Sequence, residues 1–123
     1  MISFYTISTI LVFHWVTDFF LQTDEQAKGK SSSNKWLGMH VGTYSLGVLF
    51  ITMLNFNLFL SPIAALVFWL LNVVAHFFTD YVTSRATSLL WKEGRTHDFF
   101  VTIGADQLIH YMTLFGTFIW LTK

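Results

Sequence analysis

The 14 charged side chains of this 123-residue chain leave three long stretches empty: residues 1–17, 36–79 and 107–122 contain no Asp, Glu, Lys or Arg. An apolar run of about 20 residues is what a helix needs to cross a hydrocarbon core of roughly 30 Å at about 1.5 Å per residue. The central stretch is long enough for two crossings. Hydrophobic residues make up 54% of the chain and charged residues only 11%, whereas a soluble domain carries about 25% charged residues. A soluble chain this short could not bury so much apolar surface. The sequence therefore predicts an all-α integral membrane protein, a four-helix transmembrane bundle forming a single domain over residues 1–123.

The spans are expected at about 2–22, 36–55, 61–84 and 98–121. Ser61-Pro62 offers a cap and a first-turn proline for the third, and Asp98 is the expected N-cap of the fourth. Lys28, Lys30 and Lys35 fall between spans one and two, and Arg85, Lys92 and Arg95 between spans three and four, while 56–60 has no charge. The positive-inside rule then sets 23–35 and 85–97 in the cytoplasm and both termini outside. The first span lacks a basic n-region and a small-residue cleavage site, and reads as retained rather than as a signal peptide. The Gly38-x3-Gly42 spacing is expected to let two helices approach closely.

Several function classes fall away. Without cysteine there is no disulfide, thiolate metal site or cysteine nucleophile. Zero net charge and the lack of a basic run give nucleic acid no electrostatic footprint. Neither a Gly-rich phosphate loop nor an HExxH motif is present.

What interrupts the apolar spans is chemically specific. His14 and Asp18 lie in the first, His40 in the second, His76 and Asp80 in the third, Asp106 and His110 in the fourth. A central Asp costs roughly 2.5–3.5 kcal/mol on insertion scales, so seven such groups need compensation from one another or from a metal. His14/Asp18, His76/Asp80 and Asp106/His110 are each four residues apart and share a helix face. The order is reversed only in span four, which runs the opposite way to spans one and three. All seven groups thus fall in one slab in the cytoplasmic half, with each paired His deeper than its Asp. The outer half offers only hydroxyls and amides.

Gln22, Asn72, Thr102 and Gln107 extend or adjoin these stripes and are the expected orienting partners of the ligands. His14-x-x-Thr-Asp18 also repeats as His76-x-x-Thr-Asp80, each followed by a basic segment and then by H-x-x-T at His40 and His110. Two helical hairpins related by a pseudo-two-fold along the membrane normal would give this pattern, with Trp36 standing where the other half has Asp106.

Imidazole and carboxylate without sulfur suit zinc first, with iron or manganese as alternatives. A catalytic zinc takes about three protein ligands plus water, so one or two ions are expected on His14, Asp18, His76, Asp80, Asp106 and His110. Asp106 or His40 is the candidate general base. Arg85, Arg95 and Lys35 are the candidate binders of an anionic headgroup at the cytoplasmic interface.

Three stretches, His14-Trp-Val-Thr-Asp18-Phe-Phe-Leu-Gln22, Ala75-His76-Phe-Phe-Thr-Asp80-Tyr-Val-Thr-Ser84 and Gly104-Ala-Asp106-Gln107-Leu-Ile-His110-Tyr111, resemble the bacterial and phage membrane-protein family named domain of unknown function 3307. The resemblance covers nearly the whole chain and implies a multi-pass protein of the bacterial inner membrane, but it carries no reaction. A vaguer similarity links the chain to small membrane-bound metal-dependent hydrolases. The expected function is metal-dependent hydrolysis of a lipid or lipid-linked substrate near the cytoplasmic leaflet. A metal-ion or proton transporter is the alternative, and a non-catalytic assembly subunit the third reading. Four short helices leave little room for a substrate, which makes a homodimer an expected partner state.

Overall fold

A computed structural model describes residues 2–123, and among them the secondary structure is entirely helical. Helix α1 (Phe4–Trp15) continues into a π-helical turn (Val16–Phe20), followed by α2 (Asp24–Gly29), α3 (Asn34–Leu54), a 3-10 turn (Phe56–Leu58), α4 (Pro62–Lys92) and α5 (Thr96–Leu121). Helices α3 and α4 are long and apolar enough to cross a membrane, and Phe4–Phe20 forms a shorter apolar helix.

The helices run antiparallel in chain order. At one end, Thr6 donates to the Asn55 side-chain oxygen at 3.0 Å, Asn55 donates to Thr9 at 3.1 Å, and the Leu60 N–H reaches the Leu121 carbonyl at 3.1 Å. At the other end, Arg85 of α4 donates to Asn34 of α3 at 2.9 Å. Helix α3 packs on α1 and α4, and α4 packs on α5, while α5 and α1 touch only sparingly.

The interior divides across its length. Ile10, Val48, Ile51, Phe59, Phe68, Leu114 and Phe118 form an apolar core in the half near the termini. Phe59, Phe68 and Phe118 meet there with ring centroids 5.3–5.8 Å apart. The other half buries His, Asp and hydroxyl side chains. Outward-facing positions are apolar instead: Phe4 is 83% exposed and Met112 67%, while His40 and His76 are 0% exposed.

Local rules explain most boundaries. Ser61 accepts the Ala64 N–H at 3.1 Å and Pro62 takes the first turn, as the sequence predicts. Helix α4 does not end near Ser84 but continues to Lys92. No Gly or Pro interrupts 85–92, and Trp91 packs on Phe99 at 5.1 Å, so the hydrogen-bond ladder has no reason to stop. It ends where Gly94 takes φ 71°, with Gly94 N–H on Trp91 O and Arg95 N–H on Leu90 O. This is the glycine-terminated cap that only a residue tolerant of positive φ makes cheaply.

Helix α5 then begins at Thr96, ahead of the expected Asp98 cap. Asp98 lies within the first turn and receives Arg95 Nε at 2.9 Å. The 23–35 connection is not a plain loop either, because Thr23 and Gln26 form a capping box that starts α2. The glycine spacing also needs correction: a Cβ at Gly38 or Gly42 would meet nothing within 4 Å. The close approach is at Gly47, where a Cβ would collide with Thr17 Oγ1 and lie 3.0 Å from the Phe13 carbonyl oxygen.

Candidate metal centre

Asp18 sits in the π turn that follows α1, where Leu21 N–H bonds Val16 O five residues back at 2.8 Å. Such turns occur mostly as single insertions inside α-helices and often mark functional sites. His40 is in the second turn of α3, His76 and Asp80 are midway along α4, and His110 is midway along α5. These residues and His14, in the last turn of α1, are all at most 3% exposed. The chain thus buries four imidazoles and two carboxylates at one level of the bundle.

Their atoms converge closely. His40 Nε2 lies 3.0 Å from Asp18 Oδ1, 3.2 Å from Asp80 Oδ2 and 3.2 Å from His76 Nε2. His76 Nε2 lies 3.5 Å from Asp18 Oδ1 and 3.8 Å from Asp80 Oδ2. These are five of the six edges of a tetrahedron. A tetrahedral ion bonded to nitrogen and oxygen at about 2.0–2.2 Å holds its ligand atoms about 3.3–3.6 Å apart. Two buried carboxylates cannot hydrogen-bond one another as anions, and two facing neutral imidazole nitrogens share at most one useful proton. A divalent cation at the centre would answer both problems.

On the other side of the same carboxylates, Asp18 Oδ2 is 3.6 Å from His14 Nε2 and Asp80 Oδ1 is 3.5 Å from His110 Nε2. Asp106 Oδ2 lies 3.5 Å from His110 Nδ1. The sets Asp18–His40–His76–Asp80, His14–Asp18–His110 and Asp80–Asp106–His110 each bring one potential ligand atom per residue within 4.8 Å of the others, so these buried clusters could hold a metal ion. A layer built only for stability would satisfy its polar atoms. Here His110 Nε2, the ring nitrogen 3.5 Å from Asp80 Oδ1, is buried without a hydrogen-bond partner among the described residues.

Gln107 knits the second side. Its amide nitrogen donates to Asp18 Oδ2 and Asp106 Oδ2, both at 3.0 Å, and its oxygen is 2.9 Å from His14 Nε2. The other three expected orienting residues stand elsewhere. Asn72 donates to Phe68 O and to Thr117, and Thr102 donates to Asp98 O. Gln22 lines the adjoining pocket. His40, an expected base, points its Nε2 between the two carboxylates as a ligand would.

Sequence reasoning passes over three contributors. Lys30, which the sequence marks only as a topology signal, sends Nζ to Asp80 Oδ2 at 2.8 Å. It arrives from the short α2 region, so no helical periodicity points to it. Thr83 donates to Asp106 Oδ1 at 2.6 Å; its spacing of three from Asp80 is the available clue. Tyr44 stacks on His76 with centroids 3.6 Å apart and planes 7° apart, fixing that imidazole's plane.

A pocket of about 640 Å³ reaches the cluster between the π turn, α2 and the facing parts of α4 and α5. Asp18, Asp106, Gln107 and Lys30 form its inner end. Phe19, Phe99, Phe100 and Ile103 give it apolar surface, while Thr83, Ser84, Thr87 and Ser88 line it with hydroxyls. One protomer alone therefore offers room for a ligand. The basic residues of the pocket are Lys28, Lys30 and Lys92. The three expected headgroup binders lie outside it: Arg85 packs on Tyr81 and bonds Asn34, Arg95 pairs with Glu93 and Asp98, and Lys35 lies over Trp36.

Compared with known proteins, residues 6–123 match the family model described as a protein of unknown function (DUF3307). No curated protein and no solved structure matches.

Proposed function

The chain belongs to the DUF3307 family, whose description assigns no activity, and from the geometry we propose that it is a membrane-embedded, metal-dependent hydrolase. The observation that carries this reading is the tetrahedral convergence of Asp18, His40, His76 and Asp80, with edges of 3.0–3.8 Å, beside a pocket lined by Asp18 and Lys30.

Four spans of one domain, α1 with its π turn, α3, α4 and α5, cross the bacterial inner membrane, with the α2 and 93–95 connections on the cytoplasmic side. Support comes from the reversed polarity of the molecule: its exterior is apolar and its interior holds the ionisable groups, as intramembrane charges require. All the basic residues except Lys123 gather at one end of the bundle, which agrees with the positive-inside rule.

Bound zinc, or iron or manganese, would supply Lewis-acid polarisation and a water whose pKa falls towards about 7. Around it the chain's own groups have distinct roles. His14, Asp18, His40, His76, Asp80 and His110 hold the metal centre. Asp106, at the pocket's inner end and steadied by Thr83 and Gln107, takes the proton of the attacking water. Lys28, Lys30 and Lys92 attract an anionic headgroup, and Phe19, Phe99 and Phe100 receive apolar chain. The substrate class is a lipid or lipid-linked compound entering from the cytoplasmic leaflet.

The aromatic plug of Phe59, Phe68 and Phe118 fills the half of the bundle beyond the histidines. It counts against a continuous path for ions and so against transport.

The test is elemental analysis of protein purified from membranes without chelators or a metal-binding tag. A screen of lipid and prenyl phosphate substrates in bicelles, read by mass spectrometry, follows. The reading expects a transition metal in the wild type, depleted in His76→Ala, and turnover lost in Asp106→Asn while that variant stays folded. Metal-free protein after supply of zinc, iron and manganese would overturn it.

A further inference from the structure

We infer that the centre is dinuclear, with Asp18 and Asp80 each bridging two divalent transition-metal ions; this rests on the metal-binding part of the proposed function. The inference follows from how the two carboxylates divide the four imidazoles. Asp18 turns Oδ1 to His40 and His76, at 3.0 and 3.5 Å, and Oδ2 to His14 at 3.6 Å. Asp80 turns Oδ2 to the same His40 and His76, at 3.2 and 3.8 Å, and Oδ1 to His110 at 3.5 Å. Asp18 Oδ1 and Asp80 Oδ2 therefore serve His40 and His76 together, while Asp18 Oδ2 serves His14 and Asp80 Oδ1 serves His110. A single ion among His40, His76, Asp18 Oδ1 and Asp80 Oδ2 would leave His110 Nε2, which faces Asp80 Oδ1, buried without a hydrogen-bond partner among the described residues, and would leave His14 Nε2 and Asp18 Oδ2 to the Gln107 amide. Two ions spaced about 3.5–4 Å apart, as in two-metal hydrolytic sites, engage both sides.

The internal repeat supports the same count. Exchanging the halves of the chain carries His14 to His76, Asp18 to Asp80 and His40 to His110. The first ligand set, His40, His76, Asp18 and Asp80, then becomes His110, His14, Asp80 and Asp18. One pair of ring separations matches under this exchange, with His40–His76 centroids 5.2 Å apart and His14–His110 centroids 5.6 Å apart. The contacts of His40 to Asp18 and of His76 to Asp80 reappear under this exchange as those of His110 to Asp80 and of His14 to Asp18.

The two sides are not equivalent. Asp106 and Gln107 take the places held by Trp36 and fully buried Leu37 in the other half, and they line the pocket. The His14–His110 side meets the pocket through these polar residues, and a catalytic metal needs an open position, whereas on the His40–His76 side the pocket-lining Lys30 stands against Asp80 Oδ2.

The experiment is metal titration of the purified full chain with Mn(II) or Co(II), read by elemental analysis and by electron paramagnetic resonance. Two equivalents with a spin-coupled signal are expected in the wild type. His110→Ala should keep about one equivalent and lose the coupling, while Asp18→Asn should lose both ions. One equivalent at saturation, or two with uncoupled signals, would overturn the bridged pair and leave the mononuclear reading standing. No metal at all would remove that reading as well. The wild-type measurements decide the matter even if a variant fails to fold.

Discussion

Replacing Gly47 with alanine tests whether helix α3 positions Asp18 by close contact with the π turn. The new Cβ would collide with Thr17 Oγ1 and lie 2.8 Å from Thr17 Cγ2 and 3.0 Å from the Phe13 carbonyl oxygen. Thr17 is 4% exposed, and its hydroxyl is held by Phe13 O at 2.7 Å, so rotating it away gives up that bond. The lost bond is worth about 0.5–1.5 kcal/mol, and the backbone contact still forces the two helices apart. Overpacking of this kind costs about 1–3 kcal/mol, offset by up to about 1 kcal/mol from alanine's helix preference. A net loss of about 0.5–4.5 kcal/mol follows. Because Asp18 is the next residue and its Oδ1 is 3.0 Å from His40, metal affinity should fall about 10-fold or more, the scale seen when ligand orientation is disturbed. Thermal unfolding in detergent and competitive zinc titration measure the two effects. Gly42→Ala is the control, since its Cβ meets nothing within 4 Å, and it should be neutral or slightly stabilising. Thr17→Ala should rescue part of the Gly47→Ala loss by removing the two shortest contacts. Equal stability and zinc affinity for Gly47→Ala and Gly42→Ala would refute the reasoning.

Other outcomes follow from the same contacts. Lys30→Met leaves Asp80 without its 2.8 Å partner; because the lysine side chain is 19% exposed, the loss should be about 1–3 kcal/mol rather than the roughly 3–5 of a fully buried pair. Melting curves with chelator and with zinc should show the larger drop in the chelated protein, where no cation replaces the lysine. Asn55→Ala breaks the contacts to Thr6, Thr9 and Ile51 O and should destabilise by about 1–3 kcal/mol, with metal stoichiometry unchanged by elemental analysis. Thr83→Val should leave metal content intact but lower turnover by loosening Asp106, whereas Thr83→Ser should restore it; a steady-state kinetic comparison of the two distinguishes positioning from simple packing.

Much of the site is legible in the amino-acid sequence because helical periodicity is a strict rule. Residues four apart share a face, and alternating helix direction brings His14/Asp18, His76/Asp80 and Asp106/His110 to one level; their atoms do converge. The same rule misleads where a face is right but the side chain finds another partner. Asn72 is four residues from His76, yet it is turned to Phe68 O and Thr117. Thr102 is four residues from Asp106, yet it bonds Asp98 O on its own helix. Periodicity states which side of a helix a residue occupies but says nothing of what the next helix presents there.

Residue order and spacing alone determined an all-helical chain with an apolar exterior and a buried band of histidines and aspartates, since both follow from hydropathy and from 3.6 residues per turn. Tertiary packing decided the rest. It set which carboxylate oxygen meets which imidazole, brought Lys30 to Asp80 from outside the main helices, and put the closest helix contact at Gly47 instead of Gly38 or Gly42. Those outcomes depend on distances between elements far apart in the chain, which the pattern within each helix does not contain.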